Sequence, residues 1–370
     1  MEEVADHLRS GRLAVQAYSA VVLLLSGCSG LGPVAIQAGR NHYNVAIERT
    51  NAEQLLLNLV RLRYLDTPLF LQLTSVSTQF NLNATARADF SLKSRSSDAD
   101  ELGVGAGIGY AETPTVTYTP LQGEEFVQRI LQPVRLETIL LLYRSGWGID
   151  RILRLCVQQM NGIPNAPSAA EPIPIEVPTY VDFIQAAKLL RALQVRDVLD
   201  MGYEIHDGRS VPVLRITSRA LDWPEVRQIQ ELLGLAPGRE RYDITTDIGA
   251  RDPRQLAIAT RSVLGIGSYL SQSVEVPRHD QVLGKVAITR DETGEPFDWN
   301  ELLGDLFQVS SQPERPSEAA VAVYYRGSWF YIEDVDLDAK ATFLLLSQLF
   351  ALQAGPIQGA APILTLPVGR

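Results

Sequence analysis

Phe80-Asn81-Leu82-Asn83-Ala84-Thr85-Ala86-Arg87-Ala88-Asp89-Phe90-Ser91-Leu92-Lys93 alternates apolar and polar residues without a break. One-for-one alternation is the period of a β-strand with one dry face. The run is more than twice an ordinary strand of about 5–6 residues. A polar, acidic stretch follows at 94–101, and then a second alternation. Val104, Ala106, Ile108, Tyr110, Val116 and Tyr118 fall on one side of it. Gly105, Gly107, Gly109, Thr115, Thr117 and Thr119 fall on the other. Two such runs about a polar turn predict one long β-hairpin over 80–119.

Working outward, Thr50-Asn51-Ala52-Glu53 has the form of a capping box. It predicts a helix through Leu55, Leu56, Leu59 and Leu62 that ends before Pro68, with 69–78 extended. Helices are expected at 123–131, 136–144 and 149–160. Pro164, Pro167, Pro172, Pro174 and Pro178 make 164–178 an extended linker, although Ile173, Ile175 and Val177 suit packing on a domain. Beyond it the pattern predicts a helix at 179–193, a hairpin of 201–206 with 211–217 about Asp207-Gly208, and a helix begun by Asp222-Trp223-Pro224-Glu225 and stopped at Gly234. A strand at 242–246 and a helix from Asp252-Pro253 to Ser271 follow. Strands are expected at 286–289, 306–310, 319–325 and 328–332, then a helix at 339–353 and a closing strand at 363–368. The fold class is therefore α+β: a helical N-terminal half with one long β-hairpin, then antiparallel sheets with packed helices. The expected organisation is 1–27 signal peptide, 28–49 tether, 50–163 helical domain with the hairpin, 164–178 linker, and 179–370 α+β domain.

The amino-terminal segment carries the sharpest motif. Arg9 and Arg12 precede an apolar stretch ending in Leu23-Leu24-Leu25, and Leu25-Ser26-Gly27-Cys28 follows. Positive charge, a short apolar run and small residues are the plan of a secretory signal. About a dozen apolar residues are too few for a spanning helix, which needs about 20. Leu25-Ser26-Gly27-Cys28 resembles the lipobox of bacterial lipoproteins. The resemblance implies a diacylglycerol on the Cys28 thiol, cleavage before Cys28, and acylation of the new amino terminus. Ser29 in place of an Asp favours the outer membrane. Glu2, Glu3 and Asp6 depart from the basic start of that pattern, and a translation start nearer Leu13 or Val15 would remove them. Cys156, in Arg154-Leu155-Cys156-Val157, is then left without a disulfide partner and reads as a small core residue.

The chain has 370 residues, 46% of them hydrophobic, enough to bury a sizeable core, and a net charge of -10. With no long basic run, that charge argues against a nucleic-acid partner. His7, His42, His206 and His279 show no His-x-x-x-His spacing, and no Cys-x-x-Cys occurs, so zinc has no support. There is no Gly-x-Ser-x-Gly elbow. Gly103, Gly105, Gly107 and Gly109 lack the strand-before, helix-after setting of a phosphate loop. Asp334-Val335-Asp336-Leu337-Asp338 starts like a calcium loop, but Ala339 stands where Gly is needed and Leu345 where Glu is needed. An acidic helix start fits better. Tyr324, Tyr325, Trp329, Phe330 and Tyr331 suit cross-strand packing or a partner surface.

The reading is thus non-enzymatic, without cofactor or metal. Its one assigned site is Cys28, for lipidation. The expected partners are membrane lipid through Cys28 and envelope proteins, with a homo-oligomer open. The expected place is the periplasmic face of the outer membrane, as an envelope scaffold or adaptor. The alternative is an oligomeric outer-membrane pore or secretion-channel component using hairpin 80–119. About ten residues at about 3.3 Å each, tilted about 45°, cover roughly 23 Å of an apolar band of about 25 Å. That layout is similar in plan to oligomeric channel lipoproteins such as those of curli secretion.

Overall fold

The computed structural model describes residues 31–90, 102–206, 208–249, 252–355 and 364–367. Cys28, the signal segment 1–27 and the acidic turn 94–101 lie outside the described residues. The chain divides into two compact units, 1–54 and 55–370. The described part of the first is helix: α1 spans Leu31–Arg63. Thr50 does not cap it. Its Oγ1 donates to the carbonyls of Ala46 and Ile47 at 2.9 and 3.0 Å, the bond a hydroxyl makes inside a helix. Residues 31–49, expected as part of a tether, are therefore helical. Pro33 sits in the first turn, where a missing N–H does no harm.

In the second unit, β1 (Phe70–Phe90) and β2 (Leu102–Leu121) form the expected antiparallel hairpin and extend it back to Phe70. Leu82 lies opposite Tyr110, Ala84 opposite Ile108, Ala86 opposite Ala106 and Ala88 opposite Val104, so the two apolar sets meet in register. Thr74 is an extra residue between the pairs Leu73–Tyr118 and Ser75–Thr117. Such a bulge reverses the alternation on one strand only. Below it Phe70 and Gln72, instead of their neighbours, come opposite Leu121 and Thr119. A short strand β12 (Leu364–Pro367) pairs with β2 over Thr115–Tyr118 and makes the base three-stranded.

Helices α2 (Glu124–Leu131), α3 (Leu136–Arg144) and α4 (Ile149–Cys156) follow. The helix expected to reach 160 stops at Cys156, and β3 (Val157–Met160) continues, turning to β4 (Ile163–Pro164). Next come α5 (Val181–Val195), the hairpin β5 (Leu199–His206) with β6 (Arg209–Ile216), α6 (Pro224–Leu232), β7 (Arg241–Thr245) and β8 (Gln255–Thr260). These strands form one six-stranded sheet in the order β4-β3-β8-β7-β6-β5, antiparallel except where β7 meets β8. It draws strands from both sides of the proline-rich segment. Within that segment Asn165 and Ala169 are buried, while Ile173, Ile175 and Val177 are exposed.

The helix expected from Asp252-Pro253 is likewise a correction. The apolar run Leu256-Ala257-Ile258 is the central strand β8, and the helix proper is α7 (Val263–Ser271), capped by Ser262 Oγ accepting from Gly265 N at 3.0 Å. Short helices α8 (Arg278–Val282) and α9 (Asn300–Leu303) precede β9 (Ser310–Gln312), β10 (Ala319–Tyr325), β11 (Ser328–Glu333) and α10 (Leu337–Ala354). Residues 286–289 do not form the expected strand, and of 306–310 only Ser310 is in one. The last hairpin turns on Arg326 and Gly327, both with positive φ, the left-handed pair a tight two-residue turn requires. The class is α+β.

Two buried features tie these layers together. Gly267 on α7 lets α1 approach: a Cβ there would lie 3.0 Å from Leu62 Cδ1. Arg261, fully buried, donates to the carbonyls of Arg154, Leu155 and Val157 at 3.0, 3.3 and 2.9 Å and to that of Asn165, and lies 4.1 Å over the Tyr269 ring. A cation placed at the end of α4 meets its unpaired carbonyls and its negative pole.

Candidate functional site at the root of the long hairpin

The root begins with how α1 ends. Asp66 N donates to Arg61 O at 2.9 Å and Leu65 N to Leu62 O at 3.1 Å, with Leu65 at φ 59°. This is a Schellman closure with leucine at the left-handed position that usually falls to glycine. It reverses the chain so that Leu69 comes back beside the helix. There Asn58, buried, donates from Nδ2 to Leu69 O at 2.8 Å and accepts from Leu69 N at 2.9 Å. The side-chain amide thus stands in for a strand neighbour at the first residue before β1.

Asp66 is gripped from the last hairpin. Tyr325 Oη donates to its Oδ2 at 2.6 Å, and Arg326 reaches both oxygens, at 2.8 Å from Nη2 to Oδ2 and 3.1 Å to Oδ1. Partial burial works against ionisation of Asp66, but the hydrogen bonds from Tyr325 and Arg326 outweigh it and hold the carboxyl below its ordinary value. The Arg326 guanidinium also lies 5.0 Å over the ring of Tyr64, a cation–π contact. Tyr64 in turn packs edge-on against Tyr325 and Phe330 at 6.0 and 6.2 Å. Its hydroxyl donates to Asp280 Oδ2 at 2.8 Å, and Lys285 Nζ binds Asp280 Oδ1 at 2.6 Å. Lys285, then Tyr64, keep the buried Asp280 carboxyl ionised and its pKa lowered. Burial, with Asp280 beside it, pushes the Tyr64 phenol up.

The strands themselves are seated on apolar contacts. Phe70 stacks on Phe350 at 4.8 Å and meets Phe126 at 5.6 Å, with Leu121 and Ile130 completing the cluster. Thr117, Thr119 and Leu121 are buried. So the threonine side of β2, which alternation alone reads as the polar one, faces inward at the base. Arg129 Nη1 donates to Ala354 O and Gln353 Nε2 to Arg129 O, both at 2.8 Å, joining α2 to the end of α10.

The other sequence candidates resolve as follows. Cys156 is a free thiol, fully buried, and burial pushes its pKa up to about 12. Gly103, Gly105, Gly107 and Gly109 lie within β2 and open no helix. Asp336 caps α10, accepting from Ala339 N at 2.9 Å, while Asp334 holds Lys340 and Asp338 holds Arg151. Of the aromatic cluster, Phe330 is core, Tyr325 serves the root, and Tyr324 is exposed, 5.5 Å from Trp329. Among the described residues no group of three or more His, Cys, Asp or Glu side chains could hold a metal ion, and no helix is long and apolar enough to cross a membrane. Sequence reading missed Asn58, Tyr64, Asp66, Asp280 and Arg326. The one pointer to them was the aromatic run around Arg326-Gly327. Comparison with family models, with curated proteins and with solved structures finds no match.

Proposed function

We propose that the chain is a non-enzymatic scaffold or adaptor of a bacterial envelope, held on the periplasmic face of the outer membrane through acylated Cys28, and that its working element is the long hairpin. The observation that carries this reading is the contrast along one ladder. At its base the hairpin is fastened by Asn58, the Phe70–Phe126–Phe350 cluster and β12. From Gln79 opposite Thr113 to Phe90 opposite Leu102, among the described residues, its two strands pair with each other alone. A two-stranded ribbon by itself is marginal in water, and its open edges favour pairing with another chain. A rigid foot beneath an open-edged ribbon suits an element that engages partners. The direct test is cross-linking from single cysteines placed along 80–112 in membranes, with the body as control. Adducts confined to the body would overturn the reading, as would loss of none of the membrane-bound protein on Cys28→Ser.

One observation favours the pore as a second reading. Phe80–Phe90 rises about 33 Å at about 3.3 Å per residue, or about 23 Å along the normal when tilted about 45°, close to the apolar band of about 25 Å in a barrel. The stretch beyond Gln79 is thus long enough by itself, with the fastened base left outside the bilayer. Several copies would each supply two strands. Rings in detergent and conductance in planar bilayers support that version, and a non-conducting monomer contradicts it.

A further inference from the structure

The long ribbon has two outer edges, and pairing within the chain leaves most of both bare. β1 meets β2 from Phe70 to Phe90, which uses one edge of each strand. On the far side of β1 no strand pairs, among the described residues. The far side of β2 carries β12 over Thr115–Tyr118 and, among the described residues, nothing from Leu102 to Pro114. β12 ends on Pro367, opposite Thr115, and proline brings no N–H to a ladder. One bare edge therefore runs along β1. A second runs along 102–114 of β2, the stretch that lies opposite 78–90. Backbone N–H and C=O groups unpaired in a row are a template for another strand.

Each strand already shows what fits the other. Over 78–90 and 102–114 the two pair residue for residue, without a register shift. Leu82, Ala84, Ala86, Ala88 and Phe90 fall opposite Tyr110, Ile108, Ala106, Val104 and Leu102, so apolar positions continue apolar positions across the ladder. A neighbouring copy offers the same two strands, each with its second edge bare. Copies can join by like edges or by unlike ones. Like edges meet about a two-fold axis. With that axis normal to the sheet, the strands run antiparallel and the two feet point to opposite ends. With the axis along the strands, the feet stay together, but the apolar face of one ribbon continues as the polar face of the other, the fault of a one-residue slip. Only β1 of one copy beside β2 of the next keeps the feet at one end and the apolar face unbroken. That joint is heterologous, and it closes into a ring where the rotation allows.

Resting on the hairpin as the working element and on copies held at one membrane face, we propose that the hairpin's partner is a second copy of this chain, joined head to tail. Residues 78–90 of one β1 lie antiparallel to 102–114 of the next β2, and β12 is the stop that keeps the joint clear of the foot. The test uses full-length chains in membranes, each with one added thiol: Ala86→Cys on β1, and Val104→Cys, Ala106→Cys or Ile108→Cys on β2. A stagger of two residues keeps the faces in phase, so the three β2 positions cover it. Opposed residues have Cβ atoms about 4.5–5.5 Å apart, within reach of a disulfide after a small shift. Cys156 is buried and stays silent. Copper phenanthroline oxidises each variant alone, the wild type, and Ala86→Cys co-expressed with each β2 variant. A disulfide-linked dimer is expected in at least one co-expressed pair and in no variant alone. Ala84→Cys takes the place of Ala86→Cys if that chain does not fold. A dimer as abundant in Ala86→Cys alone as in the pairs means that like edges meet, and overturns the proposal. Absence of any copy-to-copy dimer overturns it too. In that case a photo-cross-linker at the same positions separates two failures: capture of other proteins leaves the hairpin as the working element, and capture of nothing removes that reading as well.

Discussion

Asn58 holds Leu69 by both ends of its amide, the nitrogen on the Leu69 carbonyl at 2.8 Å and the oxygen on the Leu69 N–H at 2.9 Å. No other side chain of that size offers a donor and an acceptor in that geometry. Asn58→Leu therefore leaves two backbone groups without partners, at a cost of about 2 kcal/mol or more. Urea midpoints of the two proteins check this. Asn58→Asp keeps the acceptor only and should fall between them.

The two carboxylates of the root predict a pH dependence. Lys285 and Tyr64 lower the Asp280 pKa, and Tyr325 and Arg326, against partial burial, lower that of Asp66. A carboxyl depressed in the folded state stabilises it fully above the unfolded pKa of about 3.9, and that contribution is lost as pH falls through the folded pKa. Thermal midpoints of the wild type should therefore drop more steeply below about pH 4 than those of Asp280→Asn. The variant should be the less stable protein at neutral pH, with the gap closing in acid. A constant gap across the range would contradict the assignment.

Arg261 is the buried group whose loss should be felt most. Four carbonyls share its guanidinium. Arg261→Met would take that donor from all four, although Asn165 Nδ2 still reaches the Arg154 and Val157 carbonyls, and should cost about 3 kcal/mol or more. Lysine, with a compact ammonium in place of a planar fork, should not restore the loss. Denaturation curves of the three proteins provide the comparison.

Much of this was legible in the chain because alternation is a local signal. The hairpin and helix α3 follow from residue spacing alone. Leu256-Ala257-Ile258 misled because a short apolar run fits a buried central strand as well as a helix. Thr50 misled because the capping box describes side chains that could bond either way, and a helix already in place turns Oγ1 back onto Ala46 and Ile47. Thr117 and Thr119 keep their side of the β2 alternation and are buried at the base by tertiary packing, while the bulge at Thr74 reverses β1 alone and so brings Phe70 opposite Leu121. Asp66 and Arg326 meet across most of the chain, and neither residue carries a local mark of the other.

The thiols offer a count that bears on the anchor. Cys156 is buried, and its raised pKa keeps it as an unreactive thiol in the folded protein. Ellman's reagent should therefore detect no accessible Cys156 until denaturant is added. In denaturant, protein extracted from membranes should show one thiol per chain if Cys28 is acylated, and Cys28→Ser should show the same number. Two thiols per chain in the wild type would mean that Cys28 carries no lipid.

The most direct test removes the part of the hairpin that pairs with itself alone. Gln79 and Thr113 are opposite one another, so Asn-Gly can join them as a two-residue turn and leave the base, β12 and the aromatic seat in place. Size and thermal midpoint of this shortened chain would be measured beside the full chain in the same detergent. The predicted result is an unchanged midpoint with loss of the full chain's oligomers and cross-linked partners. A shortened chain that unfolds, or that keeps every partner of the full chain, would contradict the hairpin as the working element.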